Sequence, residues 1–596
     1  MAGSPTQQAV AEPLVNSGSV DNHSPSAPKT GNQKIIEQFL ADGMDHMYGN
    51  PGTVEQGFLD ALAEYPAMKY ILTLQETIAV MMADGHARAT QKPTLVQLHS
   101  SPGIGNAVGA LYQAKRGHAP LVVIGSDAGI RYANMDAQMA NDLVAMMAPV
   151  TKYSAMVMSP QSLLRTLRRA IKIAATPPMG PVYLCLPMDV LDAINEEVVV
   201  PTSLPSTRVA PAPELIEEAA RLLLAAEVPM IFAGDGVAYS GANSELAHVA
   251  ELLGAEVYGV EFGDTFIDNT HPLYKGTTGH MFGEYSYPIT SKGDANLIVG
   301  TYVLPEVFPR LEDIWKPGAK VVHFDLNAYE IAKNHHVDLG VVSDPKLSLQ
   351  ALATALEKQR TPAQQQAAES RLQAAREAKQ AAAKPAATPE TNSGEAKRLK
   401  MSQFADVLAQ KVPADVIIFD EALTSSPAVQ HAIPPRAPGS YFTTRGGSLG
   451  VGFPGAIGVK LVHPNKTVIG FSGDGGSMYT IQALWSAVRH NAGAKFVVCN
   501  NGSYKLLQLN IDVYWQERGI AAHNHPLSFD LSHPPIHFAD LAKSLGVDAV
   551  RVETEAEIGP AIDRMLADDK PFLIDLVLEG NFHPDLIQAV CSQSGS

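Results

Sequence analysis

The sequence predicts an α/β protein of three domains, each a doubly wound sheet of parallel strands. Three observations predict it. Short apolar runs such as KYILTL, PTLVQL, NLIVGTYV and KVVHFDLN alternate with longer segments whose apolar residues recur at helical spacing. The 596 residues, 46% of them hydrophobic, are enough for three or four domains with full-sized cores. Two stretches of linker composition, 201–213 and 357–400, divide the rest, so the expected domains are 33–200, 201–356 and 401–590.

Residues 1–32, rich in Ser, Pro, Ala, Asn and Gln, read as a disordered tail without the apolar core of a signal peptide. Order begins near Ile35, where IIEQFLADGMDHMYGNPG gives a helix, a glycine stop, a short strand and a turn. A helix carrying Phe58, Leu59 and Leu62 follows. The strand KYILTL ends at Gln75-Glu76, and TIAVMMADGHARAT continues as a helix. Glu76 therefore lies at a strand-to-helix junction, where the helix dipole favours a carboxylate. His99 follows PTLVQL and precedes a glycine-rich loop; a lone histidine there is more often structural than catalytic. His118 reads as structural, and GPVYLCLPMDV closes the domain near Val200.

The middle domain opens with ELIEEAARLLLAAEVPMIFAGDGV, a helix, a strand and a glycine turn. Its Gly234-Asp235-Gly236 reads as a turn only, because no Asn-Asn follows at a matching distance. No G-x-G-x-x-G with a downstream acid appears, so FAD is not expected here. From Glu357 to Lys400 the first part is helix-prone and solvated and the Pro- and Thr-bearing part is a linker, with no chemical role.

The last domain contains the most informative stretch, KTVIGFSGDGGSMYTIQALWSAVRHNAGAKFVVCNNGSYKLLQ. An apolar run from Val468 to Phe471 enters a glycine cluster. A helix is expected from about Met478 to His490, and a second apolar run spans Phe496 to Cys499. A right-handed crossover makes the two strands parallel, so Asp474 and Asn501, 27 positions apart, meet at one sheet edge. Gly473, Gly475 and Gly476 permit close backbone approach, and the helix N-terminus suits a phosphate. A carboxylate and an amide oxygen beside a phosphate suit Mg²⁺ or Ca²⁺.

The formal charge of −17 argues against nucleic acid or an anionic membrane as partner, and no apolar run approaches a membrane span. Cys185, Cys499 and Cys591 lie far apart and fit neither a disulfide framework nor a zinc site. A reducing cytoplasm is the default compartment.

The GDG string followed by about two dozen residues and NN resembles the signature of thiamine diphosphate-dependent enzymes. The resemblance covers nearly the whole chain from about Gln33. It makes the three domains pyrimidine-binding, middle and diphosphate-binding, and implies that Asp474, Asn501 and the Ser503 carbonyl hold the metal that grips the cofactor's diphosphate. Gly473, Gly475, Gly476 and Ser477 belong to the same cofactor site. Gly447 accepts from the cofactor's amine, and Leu449 is the wedge that bends it. GNPGT, Glu76 and LHSSPGIGNAVGAL are most similar to the benzoylformate decarboxylase branch, with acetolactate synthases as further relatives. Glu76 then pairs with the aminopyrimidine, His99 is catalytic, and Thr53, where that branch carries serine, can hydrogen-bond a substrate carboxylate. The implied reaction is non-oxidative decarboxylation of a 2-oxo acid through an enamine, released as aldehyde or passed to an acceptor aldehyde. Carboligase or lyase activity is the alternative, and a non-catalytic cofactor-binding subunit the remote one. The resemblance also implies a homodimer or homotetramer with active sites between chains. One departure stands out: that branch supplies a second histidine near Gly300 to Phe308, where this chain reads GTYVLPEVF. Tyr302, Glu306 and His280 are candidate substitutes.

Overall fold

Residues 28–260, 263–382 and 398–580 are described by the computed structural model; most of the expected tail, the Pro- and Thr-bearing linker half and Cys591 lie outside them. Among the described residues, the strands fall into three six-stranded sheets, parallel throughout. The first contains β1 (His46–Gly49), β2 (Lys69–Leu72), β3 (Thr94–His99), β4 (Leu121–Asp127), β5 (Tyr153–Met156) and β6 (Val182–Pro187), in the order 2-1-3-4-6-5. The second contains β7 (Pro229–Ala233), β8 (Glu256–Gly259), β9 (Tyr274–Thr277), β10 (Ala295–Val299), β11 (Lys320–Asp325) and β12 (Leu339–Val342), in the order 12-11-10-7-8-9. The third contains β13 (Ile417–Glu421), β14 (Tyr441–Thr443), β15 (Val468–Gly473), β16 (Lys495–Asn500), β17 (Asp548–Val552) and β18 (Phe572–Val577), in the order 14-13-15-16-18-17. Its order repeats that of the first sheet. Helices cover both faces, so central strands are buried throughout and read as unbroken apolar runs, as in VYLCLP and KFVVCN.

The outer two domains share one hydrophobic core. The Glu76–Thr90 helix lies against the Gly452–Val462 helix, and glycines let the two backbones touch. A Cβ at Gly458 would stand 1.9 Å from the Met82 carbonyl oxygen, and one at Gly85 2.2 Å from that of Gly455. His86 is half-buried in this seam, bonded to the Tyr48 hydroxyl at 2.9 Å, and desolvation lowers its pKa to about 3.

The first half of the 357–400 stretch is helical, Pro362–Ala382, and it docks on the middle domain. Ala368 is buried against Gly254, and Arg371 and Lys379 donate to the carbonyls of Leu253 and His271 at 2.7 and 2.8 Å. Alanines on one face of a charged helix give enough apolar surface for that contact.

All three domains meet around Arg88, whose side chain is 1% exposed. Its guanidinium donates to Asp264 at 2.6 Å and to the Thr443 carbonyl at 3.0 Å, and lies beside the stacked pair Phe419 and Phe442, 5.5 and 5.3 Å from their ring centroids. Nearby, Arg445 is paired with Asp235. The second G-D-G string is therefore more than a turn. It starts the Asp235–Ser240 helix and presents a buried carboxylate to a cation of the last domain.

Candidate active site

In a sheet ordered 2-1-3-4, ligands gather outside the carboxyl ends of the first and third strands, where the winding reverses. In the third sheet these are β13 and β15, ending at Glu421 and Gly473. Asp474 follows as the first residue of a short helix, Asp474–Ser477. The expected helix from Met478 is instead interrupted: turns run through 478–482, and a regular helix resumes only at Ala483–Arg489. The interruption lets the Thr480 hydroxyl donate to the Gly450 carbonyl at 2.5 Å.

Asp474 is 4% exposed; one carboxylate oxygen accepts the N–H of Gly475 at 2.8 Å and the other that of Gly502 at 2.6 Å. Burial raises its carboxyl to about 6, and these backbone donors oppose the rise. Gly502 holds φ +67°, the left-handed value that closes the Asn-Asn-Gly turn. Within that turn the Asn501 side-chain oxygen accepts from the Ser503 N–H and hydroxyl, both at 3.0 Å, and Ser477 donates to the Gly473 carbonyl at 2.6 Å. One carboxylate, one amide and backbone carbonyls form an all-oxygen set suited to Mg²⁺ or Ca²⁺, provided a phosphate and water complete the shell. Among the described residues no group of three or more His, Cys, Asp and Glu could bind a metal alone. Opposite lies the loop with Gly447 at φ +73° and Gly450 at φ +97°, flanking half-buried Leu449. At Gly447 and at Gly473 an added Cβ would meet nothing within 4 Å, so both backbones border open space of the kind a cofactor needs.

The corresponding edge of the first sheet collects the other predicted residues. His99 ends β3, and the GNPGT turn after β1 lies against it: a Cβ at Gly52 would stand 2.0 Å from the imidazole. Thr53 is exposed on that turn. Glu76 is the first residue of its helix, which Gln75 caps, and accepts from Asn106 at 3.1 Å. Glu76 and His99 approach each other across Gly103, where a Cβ would sit 2.9 Å from Glu76 Oε1 and 3.2 Å from the His99 Cβ. His99 Nδ1 is bonded to Glu55 at 3.0 Å. Glu55 is 1% exposed; burial raises its carboxyl and the imidazole beside it lowers it. Sequence reasoning passed over Glu55. Its only signal was an acid two places after Thr53 between apolar Val54 and Phe58.

Of the three candidate substitutes for the second histidine, Glu306 is buried, and Tyr302 lies in a cavity away from this edge. Tyr302 accepts from Arg116 at 3.2 Å, with Lys333 3.9 Å from its ring centroid. It lines a cavity of about 570 Å³ where the three domains meet, with Lys152 of the first, Asp235 and Tyr239 of the middle and Arg445 of the last. That cavity is separate from both edges. His118 stands 4.0 Å from Asp235, and burial lowers its pKa. After Ser503, the Lys505–Arg518 helix carries Trp515, which stacks on His525 at 5.6 Å.

Three family models match in chain order: the N-terminal TPP binding domain of thiamine pyrophosphate enzymes over residues 29–146, the central domain over 216–352 and the C-terminal TPP binding domain over 424–576. Benzoylformate decarboxylase of Pseudomonas aeruginosa is 30% identical over 92% of this chain and 98% of its own. A probable acetolactate synthase large subunit of Methanocaldococcus jannaschii is 28% identical over 92% of both. Among solved structures, the thiamine diphosphate-dependent 4-hydroxybenzoylformate decarboxylase of Rhodococcus jostii superposes with a TM-score of 0.80 at 26% identity, covering 93% of this chain and 99% of that one. With its three domains in family order, its repeated outer sheets and its locked Asp474–Asn501 edge, the chain belongs to the thiamine diphosphate-dependent enzymes.

Proposed function

We propose that this enzyme is a non-oxidative decarboxylase of 2-oxo acids. The carrying observation is the pairing of two unlike edges: Glu76 and His99 meeting across Gly103, and Asp474 locked to the Asn-Asn-Gly turn. Thiamine diphosphate, when bound, supplies an acidic thiazolium carbon and an electron sink. Asp474, Asn501 and the Ser503 carbonyl would hold Mg²⁺ or Ca²⁺, while Gly473, Gly475, Gly476 and Ser477 line the diphosphate. The Gly447 carbonyl would accept from the cofactor's amine, and Leu449 would pack against it to hold its reacting parts together. Glu76 holds a proton at its carboxyl against the ring nitrogen. With Nδ1–H donated to Glu55, His99 keeps Nε2 free to give or take a proton, and the Thr53 hydroxyl receives the substrate carboxylate.

As in the resemblance, the assembly is a homodimer or homotetramer in which the Glu76 of one protomer serves the cofactor on its partner. No described helix is long and apolar enough to cross a membrane; with the acidic charge and dispersed cysteines, we place the enzyme in the cytoplasm. One observation favours carboligase or lyase chemistry on 2-hydroxyketones as a second reading: GTYVLPEVF offers no imidazole to protonate a product. Mass spectrometry of products from a panel of 2-oxo acids, with and without acceptor aldehydes, separates the two. Turnover of neither 2-oxo acids nor hydroxyketones would overturn both.

A further inference from the structure

Glu421 ends β13 at the reversal point of the third sheet, and no role above uses it. It is 1% exposed. One carboxylate oxygen accepts the Gly450 N–H at 2.5 Å; the other accepts the Gly452 N–H at 2.7 Å and the Ser472 hydroxyl at 3.2 Å. Gly450 is gripped from its other side by Thr480, and a Cβ there would stand 2.9 Å from that of Tyr479. Leu449 thus lies between Gly447, open to free space, and Gly450, pinned on both sides. Ser472 is two residues before Asp474. One carboxylate therefore joins the loop that carries Leu449 to the strand end that carries the oxygen donors.

Stability alone is a weak reason for this arrangement. Burial raises the Glu421 carboxyl to about 7, so the ionised form is held there against desolvation. What a carboxylate does and an amide cannot is accept from two backbone N–H groups and a hydroxyl at once. We infer that Glu421 is a positioning residue, fixing the 447–452 loop against β15 so that Leu449 stands at a set distance from the diphosphate edge. The inference rests on the proposed placement of the cofactor.

The test is Glu421→Gln, in which the amide turns an N–H toward Gly450, Gly452 or Ser472. Thiamine diphosphate is titrated with Mg²⁺ at pH 8 by calorimetry, with near-ultraviolet circular dichroism of the bound cofactor recorded alongside. Expected are an affinity about tenfold weaker or more, an altered dichroism band and an unchanged or higher thermal midpoint for the cofactor-free protein. If Glu421→Gln does not fold, Glu421→Asp, which keeps the charge but shortens the reach, is expected to show the same affinity and dichroism changes in smaller measure. Wild-type affinity and dichroism in the folded variant would overturn the inference. So would a lowered midpoint with normal cofactor binding, the mark of a merely structural acid. A wild type that binds no thiamine diphosphate would bring down the placement of the cofactor as well, whereas equal binding by both proteins removes the positioning role alone.

Discussion

The first and third sheets have the same strand order and present the same reversal point, yet they carry opposite kinds of chemistry. After β2 and at the end of β3 stand half-buried Glu76 and His99, backed by buried Glu55. In the proposed function these are the groups that exchange protons. After β15 and β16 stand Asp474 and Asn501, sealed and tied to backbone N–H groups. These are groups that hold still. One scaffold used twice thus divides the labour, and the division resides in a few loop residues.

Removing the proton at one edge should do the most damage. Glu76→Gln is expected to lower turnover about a thousandfold, within the range for a general acid–base group, while cofactor affinity stays within a few-fold. Equal loss of affinity would erase the contrast between the edges. The mirror experiment is Asp474→Ala, for which binding of Mg²⁺ and thiamine diphosphate should weaken about a hundredfold, read by calorimetry. Glu55→Gln sharpens the picture of the first edge. It should lower kcat about tenfold and leave cofactor affinity unchanged, because only the imidazole's orientation is disturbed. A fall in cofactor affinity instead would assign Glu55 to binding.

The smallest effect concerns the seam between the two domains. His86 is kept neutral by desolvation, whereas in the unfolded chain it gains a proton below its ordinary pKa of 6.5. The unfolded state therefore binds more protons in this window, and stability falls as pH falls. Relative to His86→Gln, the wild type should lose about 2 kcal/mol between pH 6.5 and pH 5, seen as a converging gap in thermal midpoints. A constant gap would mean that the imidazole is hydrated.

The parts legible in the sequence were those enforced on the backbone. Glycine at 473 and 502 and the apolar runs on either side announce a tight strand-to-helix turn whatever surrounds them. Glu55 and Glu421 were not legible, because their meaning comes from partners 44 and 31 positions away, His99 and Gly452. Asp235 was misjudged for the same reason: its local string is a turn, and its cation lies 210 residues on. The helix expected from Met478 has apolar residues to support it. A single hydroxyl bond from Thr480 to the Gly450 carbonyl accompanies the break there, and periodicity cannot register such a bond.

The guanidinium of Arg88, set beside two stacked phenyl rings and shared by three domains, ties the polypeptide into one unit. An excised last domain would show water two bare phenyl rings, and an excised first domain would keep Asp84 beside Arg88 but lose Asp264 and the Thr443 carbonyl. Recombination among relatives must therefore transplant Arg88, its acid and its rings together, or exchange the whole chain.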